Sequence, residues 1–171
     1  FALLVMLLAG SAAAHEGTIG LYATLSHVAC DEDITAFIAE DIMVFYYRSD
    51  SGPDGITGAE FKIDLMGGTL GVDVIEQATT WPANTLQLGT SPFEGISTVW
   101  TSKCNGAGEE WVWVATLNVT HFTEATKTFT VVANPGSQDP SAVHVSLCDE
   151  NKTTVNVLGG FYLACDPADP T

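Results

Sequence analysis

Basic side chains are almost missing from this chain. Of its 171 residues only Arg48, Lys62, Lys103, Lys127 and Lys152 are cationic, against 21 acidic ones, a net charge of −16. A body this acidic repels phosphate backbones and anionic bilayers, which excludes nucleic acid as a partner and disfavours charged membranes. Helical patterning is also missing: no long stretch places apolar residues at i, i+3, i+4 and i+7. No apolar run reaches the ~20 residues needed to span a bilayer, so no transmembrane anchor is expected. Catalytic signatures are missing as well: no Gly-x-Ser-x-Gly elbow, no His-Glu-x-x-His and no phosphate loop. Carboxylates are plentiful, but pairing for glycoside hydrolysis depends on separation in space and is not readable here. No enzyme activity is expected from motifs.

What is present begins with Phe1 to Ala14, an apolar run ending Ser11-Ala12-Ala13-Ala14. This is the core and cleavage zone of a signal peptide, expected to be cut between Ala14 and His15. Neither a charged segment nor a Met precedes it, so the sequence reads as clipped at its start. Residues 15–171 are expected to form one secreted domain at the cell surface or outside the cell, with a Pro- and Asp-rich tail after Cys165. Four cysteines, Cys30, Cys104, Cys148 and Cys165, fit two disulfides in an exported protein. None are close enough for a zinc knuckle. Of the three possible connectivities the expected one is Cys148–Cys165, clipping the last strands, with Cys30–Cys104 by elimination.

Short runs rich in Val, Ile, Thr and aromatics recur between Gly, Pro, Asn and Asp. Strands are expected at Thr18–Thr24, Ile42–Arg48, Ala59–Leu65, Gly71–Gln77, Gly95–Thr101, Trp111–Val119, Lys127–Ala133, Val143–Leu147, Thr154–Leu158 and Gly160–Ala164. Asp33–Glu40 reads as a short strand or a helical turn, Ser49–Gly58 as a polar turn, and Ala78–Pro92 as irregular. Alternation puts Phe61, Ile63, Leu65, Val72 and Val74 inside. It also puts Trp111, Trp113, Ala115, Leu117 and Val119 on one face, expected to be the core. The fold class is therefore all-β: a single antiparallel β-sandwich of about ten short strands, of the immunoglobulin-like jelly-roll kind.

The order of features from Ile42 onward resembles cohesin-type β-sandwiches and related cellulose-binding modules. The resemblance rests on five features: Ile42-Met43-Val44-Phe45 followed by a polar turn; Gly58-Ala59-Glu60-Phe61-Lys62-Ile63; Val72-Asp73-Val74-Ile75; Trp111 to Leu117; and Phe129-Thr130-Val131-Val132. It covers about 120 residues and implies a fold, not an activity. The chain is also similar to short exported proteins of bacteria. Cohesins rarely depend on disulfides, a departure here, and no binding residue is carried over.

Four constellations could carry chemistry. Cleavage before His15 would expose a histidine able to join a second (His27, His121 or His144) in a copper site, giving a copper enzyme that acts on polysaccharide. His144, between Val143 and Val145, is expected to face solvent or a loop. Asp50 and Asp54 on the Gly52-Pro53-Asp54-Gly55 turn, and Asp31 and Asp33 beside Cys30, could supply oxygen ligands to calcium. Trp81 and Trp100, with Trp111, Trp113, Tyr46 and Tyr47, could stack against sugar, Trp81 being the most exposed in prospect. Asn118-Val119-Thr120 and Asn151-Lys152-Thr153 match the N-glycosylation pattern. The leading expectation is a secreted, non-catalytic module for binding, adhesion or surface assembly, with an extracellular glycan or protein as partner. Self-assembly by donation of Thr18–Thr24 to a neighbour is the third reading.

Overall fold

The computed structural model describes residues 17–23, 30–31, 36–48, 55–101, 104–123, 125–148 and 154–164, with the backbone alone at 30–31 and 161–164. The leader, His15, His27, Asp33, Asp50, Asp54 and the tail from Cys165 lie outside them. The described residues form twelve strands: β1 (Gly17–Tyr22), β2 (Cys30–Asp31), β3 (Ala39–Arg48), β4 (Ile56–Met66), β5 (Val74–Thr80), β6 (Thr85–Leu88), β7 (Ile96–Trp100), β8 (Trp111–His121), β9 (Lys127–Val132), β10 (Val143–Leu147), β11 (Thr154–Gly159) and β12 (Phe161–Ala164).

Hydrogen bonding runs β2-β12-β9-β4-β10-β11-β1-β3-β8-β5, with β7 and then β6 added on the free side of β4. This path folds over into two layers. One is β5-β8-β3-β1; the other is built around β4, flanked by β7-β6 on one side and by β10 and β9 in succession on the other. The chain passes between layers at Gly159-Gly160: β11 pairs with β1 and β10, while β12 pairs with β9. A side chain at Gly159 would place its Cβ 1.9 Å from the Val131 carbonyl oxygen, so only glycine lets the strand cross there. Pairing is antiparallel except for β1/β11 and β2/β12, which are parallel.

Alternation explains most of the core. Ile19 and Leu21 of β1, Ile42, Val44 and Tyr46 of β3, and Phe61 and Ile63 of β4 point between the layers and are fully buried, together with Phe129 of β9. Where the pattern departs from expectation, the backbone supplies the reason. On β8, Val44 faces Ala115 and Phe45 faces Trp113, which leaves Val114 as an extra residue, a β-bulge. Val114 and Ala115 both point inward and are buried. The side-chain phase inverts at that point, so Trp111 and Trp113 do not share a face with Leu117 and Val119: they lie on the outer surface, half-buried. Val72 is exposed in the turn before β5 rather than buried. Ala78–Pro92 is not irregular; it holds the end of β5 and all of β6. Residues 36–37 form a turn, and β1 has a partner on each side, which removes it as a free edge.

The cysteine pairing also differs from expectation. Cys104 bonds Cys148, with Cα atoms 5.6 Å apart. The cause is the start of β4. Asn105 bridges Ile56 on one side, and Leu147 pairs with Ile56 on the other. The two neighbouring cysteines are thereby brought to the same spot, and Cys148 N–H donates to the Gly55 carbonyl at 2.9 Å.

Among the described residues no helix is long and apolar enough to cross a membrane.

Candidate functional site

The outer face of the β4 layer carries two rows of side chains set by register. Leu88, Ser97, Glu60, His144 and Asn156 lie opposite one another across β6, β7, β4, β10 and β11. Leu86, Val99, Gly58, Ser146 and Thr154 form the next row. Period-two alternation sends Val143, Val145, Val155 and Val157 of the same strands inward. The β6–β7 end of this face is aliphatic and open to solvent: Leu88 is 74% exposed, Leu86 63% and Val99 51%. Gly58 leaves the second row bare between Val99 and Ser146.

The other end is a cleft of about 770 Å³ lined by Glu60, Glu94, Ser97, Asn134, Asp139 and His144, among others. Its wall is the loop from Ala133 to Ala142. Ser97 donates its hydroxyl to Glu60 Oε1 at 2.6 Å, and Asn134 Nδ2 lies 3.4 Å from both. Asn134 Oδ1 accepts from Gly136 N–H at 2.9 Å, which fixes the side-chain amide. Gly95 meets this wall so closely, at φ +108°, that a Cβ would come within 2.3 Å of Asn134 Oδ1. His144 Nε2 donates to the Asp139 carbonyl at 2.9 Å, so the ring faces the loop, as its place between two valines predicts. Its Nδ1 is buried without a partner. The Ser141 hydroxyl and amide, and then the charge of His144, hold the Asp139 carboxyl below its ordinary range.

The cleft lining thus carries three carboxylates, Glu60, Glu94 and Asp139, and no Lys or Arg. It can receive a cation or hydrogen-bond donors, beside an aliphatic strip that can take an apolar surface. Among the described residues lining it, no hydroxyl or thiol is hydrogen-bonded to a histidine. Among the described residues no group of three His, Cys, Asp or Glu is placed to hold a metal ion. Of the carboxylates singled out from sequence for metal, only Asp31 falls within a described element, β2, and then by its backbone alone. His121 is buried on β8 against Glu40, and His144 is in the cleft on the other layer.

Of the expected stacking residues, Trp81, Trp100 and Tyr46 are not where stacking needs them, Tyr46 being fully buried. Trp100 is buried in the core, and Trp81 is half-buried against it. Leu86 and Leu88 were missed because Pro82, Asn84 and Gly89 break up residues 78–92, and Val99, on the expected strand Gly95–Thr101, then had no neighbouring strand to pair with. The Leu86-Gln87-Leu88 alternation was the available signal.

No protein-family model matches the chain, and no curated protein is similar to it. Solved structures are. The fold is similar to a cohesin module from a family 33 glycoside hydrolase of Clostridium perfringens, with TM-score 0.60 and 9% identity over 88% of this chain and 96% of that one. The chain has a cohesin-like β-sandwich fold. It is also similar to a structure of a type I cohesin–dockerin complex from Clostridium thermocellum (TM-score 0.52, 9% identity, 89% of this chain and 95% of that one). A third is the sixth cohesin of scaffoldin B from Acetivibrio cellulolyticus, solved with a dockerin (TM-score 0.51, 11% identity, 85% and 96%). At these identities the likeness is one of fold.

Proposed function

We infer that this protein is an extracellular, non-catalytic module that assembles with a protein partner, docked on the outer face of β6, β7, β4 and β10. The observation that carries the reading is the aliphatic strip of Leu86, Leu88 and Val99, which abuts an acidic cleft on a register-aligned sheet face. Contiguous exposed aliphatic surface rimmed by polar groups marks interaction sites. Similarity to cohesins solved with dockerins supports a protein as the occupant. The signal-like segment at residues 1–14 and the disulfide support export. Association would bury the leucines against an apolar surface, while the carboxylates select a partner bearing Lys or Arg and speed its approach.

The test is titration of the oxidised full chain with a panel of dockerin modules, alongside photo-crosslinking from position 88 in the native exoproteome. Binding should weaken at least about tenfold in Leu88→Asp and Val99→Asp, variants that alter exposed side chains and leave the melting temperature near that of the parent. Crosslinks that survive both substitutions, or binding indifferent to them, refute this face as the interface.

A further inference from the structure

The second outer face, on the β1-β3-β8 layer, is built from different chemistry. The bulge at Val114 turns Trp111 and Trp113 outward, opposite Tyr47 and Phe45, and Gly20 and Thr18 of β1 complete the two rows. Tyr22 joins them, with its ring lying over Gly20, where a Cβ would meet ring atoms at 2.7 Å. The rings brace one another. Tyr47 lies 4.6 Å from Trp111, and Tyr22 packs edge-on at 5.5 Å from Trp111 and 6.1 Å from Phe45. Trp113 donates its Nε1–H to Thr116 Oγ1 at 3.0 Å, which fixes the indole. Phe45 is buried beneath, while Tyr22, Tyr47, Trp111 and Trp113 are half-buried.

We propose that this aromatic face binds a neutral polysaccharide by stacking sugar rings on Tyr47, Trp111 and Trp113. The C–H bonds of a pyranose face complement the negative π-faces of aromatic rings. The hydroxyls at the sugar's rim need hydrogen-bonding groups, and Thr18, Thr80, Thr116 and Asn118 lie on the same face by register. The centre of this face is aromatic and polar: Met43 lies between Tyr22 and Thr116, and the branched aliphatics Ile75 and Leu158 stand only at its edges, beside Thr120 and Thr18. Among the described residues its one charged side chain is Asp41, engaged at 2.8 Å by Asn118, and none is a Lys or Arg that would attract an anionic glycan. Rings already locked by one another lose little freedom on binding. The surface is separate from the docking face of the other layer and does not depend on that reading.

The experiment is retardation of the oxidised full chain in native gels containing hydroxyethyl cellulose, xylan, glucomannan or laminarin, with polygalacturonate as the anionic control. At least one neutral glycan should retard the protein. Trp113→Ala and Tyr47→Ala should each raise the dissociation constant about tenfold or more, and Trp113→Phe, which keeps a π-face, less. Leu88→Asp should leave retardation unchanged. Should Trp113→Ala fail to fold, Tyr47→Ala and the tryptophan emission change on glycan titration carry the test. Retardation by no neutral glycan, by polygalacturonate alone, or equally in the stacking variants overturns the proposal.

Discussion

Deleting Val114 tests the feature on which the aromatic face depends. Two residues, Val114 and Ala115, stand opposite Val44. Removing one restores one-to-one pairing, so Ala115 still points in while Trp113, Val112 and Trp111 keep their present facing. The cost is one fully buried valine, ~1.5–3 kcal/mol of burial, and some relaxation of the local twist. A loss of about 2–4 kcal/mol leaves a domain of ordinary stability folded, with the melting temperature down by roughly 5–15 °C. Tryptophan emission and acrylamide quenching should be unchanged, because no indole moves between core and surface. If β8 instead alternated without a bulge, Trp111 and Trp113 would sit in the core and the deletion would eject both. Urea melts and emission spectra of the deletion variant separate the cases. Loss of cooperative unfolding, or a clear red shift in the native baseline, refutes the bulge.

Peptide mapping without reduction should find Cys104 joined to Cys148. With a sequence separation of 44, opening this bond with paired alanines should cost about 4 kcal/mol by loop-closure entropy, and recovery of Cys148–Cys165 instead would refute the pairing. Lys127 is fully buried and donates from Nζ to the carbonyls of Thr123 at 2.6 Å and Ala125 at 2.8 Å. Lys127→Met leaves both acceptors without that donor and should cost ~2–4 kcal/mol in a urea melt; a cost below ~1 kcal/mol refutes the role. Burial lowers the Lys127 pKa against the opposing pull of Asp73 and Glu40. The unfolded chain then holds its proton longer, so wild-type stability rises with pH between the lowered value and 10.5, a slope that Lys127→Met removes. By NMR titration Asp139 should ionise below 3.8 and move back toward it in Ser141→Ala. Its depressed value makes the folded loop lose stability as pH falls through that range, and an unmoved pKa in the variant refutes the assigned cause.

Much of the fold was legible because burial enforces alternation. Phe61 and Ile63 of β4 and Ile42 and Val44 of β3 fall inside as their two-residue spacing requires. The errors come from non-local causes. A bulge adds one residue without altering composition, so the run from Trp111 to Val119 reads as a single face although its phase inverts midway. The disulfide joins residues that meet only because both flank Ile56, a pairing partner far from either in sequence. Residues 85–88 become a strand because β7 offers an edge, not because Thr-Leu-Gln-Leu insists on it. The cleft was invisible for the same reason. Glu60, Ser97, Asn134 and His144 come from three strands and a loop, and only the register of β4 with β7 and β10 gathers them. The resemblance to cohesins survived these local errors because it depended on the order of strands rather than on the facing of any one side chain.

The two outer faces divide along the composition of their strands. β6 and β7 place leucine and valine outward, where an exposed aliphatic strip suits a protein surface, and the acidic cleft beside it would select by charge. β3 and β8 place tyrosine and tryptophan outward, where π-faces and hydroxyls suit a sugar. Because a filled core separates the layers, a ligand on one face meets none of the side chains on the other. Sites without shared partners behave additively, within ~0.5 kcal/mol. On the two proposals together the module would hold a glycan and a protein at once, and a linkage of this kind needs no conformational change in the sandwich.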